Sequence, residues 1–419
     1  MTDPAFMPDV DIQTQEILLA SSQHDIPKLR ALLRNTNANV RDSETGFTPL
    51  HAAIASCELD EPELVDTNGE ANGTVNGTNG AEVTNDSGSE RDKALADAAE
   101  TVRFLFQHGA TWNEVDTNGE TPGCMARRLG LKEIYEMIVD QGVRAELLLT
   151  RLDQYEVLLD DEAEEEKDEA AEGPGTAGGD DPVQFDTSAA DDMNDAVVAA
   201  AETFTVPSNA LLSNEALLKS IWTRTAELVL PKSDLRLLSV EPSLDLLSAL
   251  QLRQPAKHHV IASDPTIFQA IQNAGWLNKE DQGVIIHRDA WTGLLPQFMS
   301  EGWPDASFDA IYFSTSGHAL RYGELRTFFS EWAEQLLATE GGEDGQGGLL
   351  TFFHGVGAER QVMYDVYTKI LEMDLFEASF DTEWEHIPVP DIPDGGHGTG
   401  NEPRWRVETY RLPICRLVD

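Results

Sequence analysis

Chemistry in this chain should be sought first in the turn Val240-Glu241-Pro242-Ser243-Leu244-Asp245. An apolar, strand-like run (235–240) enters it and a helix-like run (244–250) leaves it. A second strand-like run, 259–262, ends just before Asp264. In nucleotide-binding α/β folds this first turn holds the cofactor at the C-terminal edge of the strand. Glycines normally line it, so that backbone N–H groups approach an anion and the helix packs close. Here the turn has no glycine, Glu241 and Asp245 bring negative charge, and Pro242 removes a donor. The scaffold for a cofactor is written in the sequence without its usual lining.

Other reactive side chains organise less. His258, His259, His287, His354 and His386 have no metal-ligand spacing and form no Ser-His-Asp pattern. No metal is expected, and His354, next to Gly355, reads as a loop or framework residue. Cys57, Cys124 and Cys415 are far apart and odd in number, which argues against a disulfide framework or zinc site and for a reducing compartment. His51 lies in Gly46-Phe47-Thr48-Pro49-Leu50-His51-Ala52-Ala53, which fits the ankyrin T-P-L-H-x-A pattern. In that pattern Thr48 caps a helix, Pro49 suits its first turn, and His51 bridges loop backbone as a structural group.

The elements that position these residues fall into three regions. Residues 11–150 read as a small all-α ankyrin-repeat module. Helical spacing around 17–20 and 29–33 precedes the first T-P start, and a second start follows at Gly119-Glu120-Thr121-Pro122. The two starts are separated by one period of about 33 residues and a long insertion. Residues 58–93, rich in Asn, Gly, Thr and Glu, supply that insertion and are expected to be disordered. Residues 151–203 read as an acidic, disordered linker in which GPGTAGGDDP breaks any helix. From residue 204 to 419 strand and helix patterns alternate. Strands are expected at 235–240, 259–262, 283–287, 309–313, 348–353, 376–386 and 404–412. Helices are expected at 211–230, 244–250, 266–274, 293–299, 325–338 and 359–373. Such alternation predicts an α/β domain with a mainly parallel sheet covered by helices on both faces, and the last two strands predict an antiparallel edge. This is the layout of Class I methyltransferases that use S-adenosyl-L-methionine.

Composition narrows the partners. The 419 residues carry a net charge of −46, which disfavours nucleic acid and favours a basic protein client rich in Arg or Lys. No apolar run is long enough to span a bilayer, and the first residues do not read as a signal peptide. An intracellular chain is expected; its oligomeric state is not legible.

The C-terminal region resembles the fungal type IV protein arginine N-methyltransferases, which are related to guanidinoacetate methyltransferase and methylate the δ-nitrogen of arginine. The residues that carry the likeness are Ala256-Lys257-His258-His259-Val260-Ile261, Gly275-Trp276, residues 283–287 and Phe308-Asp309-Ala310-Ile311-Tyr312-Phe313. It continues through residues 353–367 (FHGVGAERQVMYDVY), 383–391 (EWEHIPVPD) and 409–416 (TYRLPICR). The family also carries N-terminal ankyrin repeats, so the likeness covers the chain apart from its low-complexity inserts. It implies S-adenosyl-L-methionine as cofactor, with Phe204, Ser243, Asp264, Asp289 and Trp291 at the aligned cofactor positions, and residence in cytoplasm and nucleus.

At the pocket this chain departs from the family. The family's glycine-rich turn aligns with residues 239–248, Ala262 stands where an acidic residue should hold the ribose, and Leu218 and Ser314 replace the carboxylates that should face a guanidinium. Glu215, one turn before Leu218, is the nearest substitute, with Asp264 for the ribose and Asp289 near the adenine. Charge-assisted bonds to a guanidinium are strong, and a carboxylate also disposes of its proton. Their loss implies a catalytically impaired or inactive, protein-binding homologue. The other reading is an active arginine δ-N-methyltransferase with a rebuilt pocket.

Overall fold

The computed structural model describes residues 12–58, 86–149, 215–301, 307–314, 322–339, 347–389 and 407–418. The chain divides into two compact units, Met1–Glu146 and Leu147–Asp419. Among the described residues no helix is long and apolar enough to cross a membrane.

The first unit is built from helices that pair in sequence: α1 (Ile12–Ser22) with α2 (Ile26–Leu32), α3 (Pro49–Ala55) with α4 (Asp86–Gln107), and α5 (Pro122–Arg128) with α6 (132–149). The two T-P starts behave as their chemistry requires, with Thr48 and Thr121 at the N-caps and a proline in each first turn. His51 Nδ1 accepts from the Thr48 N–H at 3.2 Å, so Nε2 carries the proton donated to the Glu120 carbonyl at 3.1 Å. The ring ties one start to the next, the structural role expected of it. The expected disorder of 58–93 needs correction at its end, because α4 already begins at Asp86. Once the half of α4 that buries Ala98, Val102 and Leu105 is formed, each residue added upstream costs little. The rest of that insertion, the 151–203 linker and Phe204 lie outside the described residues.

The second unit opens with α7 (Glu215–Val229) and continues β1 (Arg236–Val240), α8 (Leu244–Gln251), β2 (Lys257–Ile261), α9 (Pro265–Asn273), β3 (Val284–His287), α10 (Trp291–Glu301) and β4 (Ala310–Phe313). Then come α11 (Tyr322–Phe328), which runs through a π turn at Phe329–Ala333, β5 (Leu349–Phe352), α12 (Gln361–Glu377), β6 (Phe380–Pro388) and β7 (Thr409–Leu417). The seven-stranded sheet has the order β3-β2-β1-β4-β5-β7-β6. Neighbours from β3 through β5 are parallel, and β7 is antiparallel to both β5 and β6. Residues Leu237, Leu238, Val240, Val260, Ile261, Ile311 and Phe313 are fully buried, as strands covered on both faces must be.

Strand ends differ from the sequence expectation on the antiparallel side. Helix α12 runs on to Glu377, where Phe376 is 78% exposed, so β6 begins at Phe380 instead of 376. Strand β7 starts at Thr409 and passes through Pro413 to Leu417. The proline is tolerated because its nitrogen faces away from β6, in a non-bonded pair with Trp384, and lies beyond Cys415 and Arg416, the residues that pair with β5. Its carbonyl accepts the Thr351 hydroxyl at 2.7 Å.

Candidate functional site

The strand order reverses between β1 and β4, so a ligand crevice in this fold opens beyond the C-terminal ends of those strands. Its rim is made by the turn after Val240, the residues after Ile261, Ser314 after β4 and the loop after Phe352. Helix α7 packs against β4 and β5 and sets Trp222 edge-on to Tyr312.

At the turn after β1, two of the N–H donors that an anionic cofactor could use are committed. The Glu241 N–H donates to the Ile261 carbonyl at 2.8 Å, and the Leu246 N–H is taken by the Ser243 hydroxyl at 3.2 Å, with Ser243 as N-cap of α8. Pro242 has none. Asp245 stays at the turn, and the expectation for Glu241 is corrected. Asp245 is exposed, in the first turn of α8, where a negative side chain complements the helix dipole. Glu241 is 3% exposed and turns away from the β1 turn. Its carboxylate accepts the Ser263 N–H at 2.8 Å, the Ser263 hydroxyl and the Asp264 N–H. A left-handed backbone, φ 49°, makes this reach geometrically available. The carboxylate missing at Ala262 is thus supplied to the end of β2 by the strand next door, and it arrives already bonded.

Replacing Glu241 with Ala is expected to lower stability by about 2 kcal/mol, because the Ser263 and Asp264 amides lose their acceptor. Glu241→Gly should cost less, since glycine suits the positive φ. Urea denaturation of the two variants checks both the loss and its order.

The other aligned positions are mostly structural. The Asp264 carboxylate caps α9, accepting from the Thr266 N–H at 2.7 Å and the Ile267 N–H at 3.1 Å. Asp289 is exposed. Trp291 is 4% exposed and edge-on to Phe313 and Phe328, with centroids 5.6 Å and 5.8 Å away. Leu218 is buried on α7 and Glu215 is exposed. The Ser314 N–H donates to the Val240 carbonyl at 3.0 Å. Among the described residues no cluster of His, Cys, Asp and Glu could hold a metal.

The long signature after β5 is a framework. His354 is fully buried and stacked on Tyr364, centroids 4.4 Å apart. Its backbone N–H donates to the Tyr410 hydroxyl, and the Tyr364 hydroxyl accepts from the backbone N–H of Arg411. Arg411 reaches the Thr368 hydroxyl at 2.8 Å and the Asp365 carboxylate at 2.6 Å. Thr368 donates to the Tyr364 carbonyl and accepts from Arg411, so His354 Nε2 donates to it at 2.9 Å. His354 Nδ1 is left as a buried acceptor with no partner. Burial, with help from Arg411, pushes this imidazole down to about 3. The network fixes the loop after β5 to α12 and β7. Sequence spacing hinted at it only through Tyr364, Asp365 and Thr368 on adjacent helical positions.

Another buried polar pair lies inside the sheet. His258 Nε2 is 2.8 Å from the Ser239 hydroxyl across β1 and β2, and burial pushes the ring down to about 3. Beside it, His259 Nδ1 and His287 Nε2 share a contact of 3.2 Å.

No protein-family model matches the chain. The chain is 43% identical to "Protein arginine N-methyltransferase 2" of Aspergillus fumigatus, with 100% of both chains covered. It is 32% identical to the protein of the same name from Neurospora crassa, covering 98% of this chain and 97% of that one. Among solved structures, the N-methyltransferase NodS from Bradyrhizobium japonicum aligns at 16% identity with a TM-score of 0.33, covering 50% of this chain and 100% of that one.

Proposed function

Because the chain belongs to the protein arginine N-methyltransferase 2 family of fungi, we propose that it is a member whose own pocket no longer supports transfer and whose role is to bind protein. The activity from which this reading derives it is methylation of the arginine δ-nitrogen. S-adenosyl-L-methionine is the methyl donor that the family implies, and the residues at its place here do not fit it. The observation that carries this reading is the turn after β1: Glu241 and Leu246 have spent their N–H groups, and Pro242 has none. A guanidinium would in addition meet Leu218 and Ser314 in place of carboxylates, with no base for its proton. The proposed partner is a protein client rich in Arg or Lys, and cytoplasm and nucleus are the proposed places of work.

One observation favours the second reading, an active enzyme with a rebuilt pocket. Glu241 carries a carboxylate to the end of β2, where the family's ribose acid would stand. Calorimetry of the purified full chain with S-adenosyl-L-methionine separates the two. No heat at millimolar ligand is expected. Micromolar affinity would overturn the impaired reading and hand the ribose role to Glu241.

A further inference from the structure

Strand β6 ends its side of the sheet, and no described strand pairs with its outer edge. Its register with β7 matches Phe380 to Leu417 and Pro388 to Thr409. Just beyond both ends, the Val418 N–H donates to the Ser379 carbonyl at 2.8 Å and the Val389 N–H to the Glu408 carbonyl at 2.9 Å. Bonded and non-bonded pairs alternate along an antiparallel ladder. The odd-numbered residues of β6 therefore turn their backbone towards β7. Thr382, Trp384 and His386 turn their N–H and C=O groups outward, towards whatever lies beyond the sheet.

The side chains say what could lie there. Asp381, Glu383 and Glu385 project from one face at alternate positions, and the first two are exposed. Asp381 stands opposite Arg416 and Glu385 is bonded to Arg224, whereas Glu383 stands opposite the apolar Ile414. A strand laid along this edge would bring its own alternate side chains within about 5 Å of those carboxylates. Arg or Lys at every second position satisfies them. A second copy of the chain would instead set Asp381, Glu383 and Glu385 against themselves, on a molecule of net charge −46.

We propose that the outer edge of β6 binds an extended segment of a client polypeptide by strand addition, selecting basic residues at alternate positions. Backbone bonds at Thr382, Trp384 and His386 hold the segment, and Glu383 with Asp381 reads it. The inference rests on the client-binding reading above and gives it a place, independent of whether methyl is transferred.

The probe is a synthetic peptide alternating Arg with Thr or Val, titrated into the full chain by fluorescence anisotropy, with amide hydrogen exchange as the second readout. Binding is expected, with slowed exchange at Trp384 and His386. Methylating the backbone nitrogens of the peptide should weaken binding about tenfold, the loss of roughly two hydrogen bonds. Glu383→Lys should weaken it at least as much. Thr382→Pro, which removes an outward donor and leaves the β7 ladder intact, should weaken it with the fold unchanged. Equal affinity for the N-methylated peptide, or for one with its arginines in a block, would mean attraction by charge alone and would overturn the proposal. So would a dimer in sedimentation that Glu383→Lys dissolves. A client protein that binds wild type and Glu383→Lys equally would sink the edge and leave the client-binding reading standing; a client that never binds would sink that reading.

Discussion

Gly357→Ala is expected to cost roughly 4 kcal/mol, combining ~1–2 for a left-handed residue with a Cβ and ~1–3 for overpacking. The glycine has φ 75°, and a Cβ built on it would lie 2.7 Å from the Met363 carbonyl carbon and 2.9 Å from Tyr364 N. Those atoms belong to the first turn of α12, which cannot shift to make room. Tyr364 is stacked under His354, and its hydroxyl receives the Arg411 N–H at 2.9 Å. The Arg360 N–H closes the turn on the Gly357 carbonyl. Gly109 is the control: it has φ 81° but no atom within 4 Å of an added Cβ. Gly109→Ala should therefore show the backbone penalty alone, about 1 kcal/mol. Urea denaturation should give a lower midpoint and an unchanged m-value for Gly357→Ala. Equal losses at the two glycines would show that the loop after β5 is free to move, and that the signature does not fix it.

What could be read from the sequence was whatever depends on neighbours along the chain. Buried parallel strands such as Leu237–Val240 and Ala310–Phe313 are nearly continuous apolar runs, interrupted by Ser239, because both faces are covered, and alternation with helices fixes the parallel order. The Thr48-Pro49-Leu50-His51 start is likewise local, and its bonds come out as its chemistry requires. Contacts made across the chain were not legible. Glu241 looks, in sequence, like a charge planted on the cofactor turn; only the left-handed backbone and the packing of β1 beside β2 send it to Ser263. The His354–Thr368–Arg411–Asp365 cluster joins the loop after β5 to α12 and β7, and only its two α12 members have a helical spacing to show for it. Asp264 has a local role that the sequence does show. Asp followed by Pro is a helix-start signal, and the residue caps α9 as that signal requires. Phe376 misled the placement of β6 because an apolar residue exposed on a helix end resembles the first residue of a strand.

Acid should unfold the sheet-containing unit well before its carboxylates are protonated. His258 and His354 are both fully buried and held at about 3, the first beside His259 and the second beside Arg411. Neither has an ionised acid to favour its charged form; Ser239 and Thr368 are the groups that meet their rings. In the unfolded chain both should titrate near 6.5. From pH 6.5 down to about 3 the unfolded state therefore binds protons that the folded state refuses. Stability is full well above pH 6.5 and falls as pH falls, by about 1 kcal/mol per ring between pH 6.5 and 5.5, with the slope approaching about 1.4 kcal/mol per pH unit below that. Burial lowers His287 too, which adds in the same direction. Burial raises Asp374 and Glu359, which act with the opposite sign nearer the carboxylate range. The clean window is consequently pH 6.5 to 5.5. Urea midpoints measured across it should drop steeply for the wild type. His258→Gln and His354→Gln should each remove about 1 kcal/mol from the drop across that window, whatever they cost at pH 7. A slope unaltered by either replacement would mean that water reaches these rings. The framework after β5 would then be looser than the bonds among His354, Tyr364, Thr368 and Arg411 require.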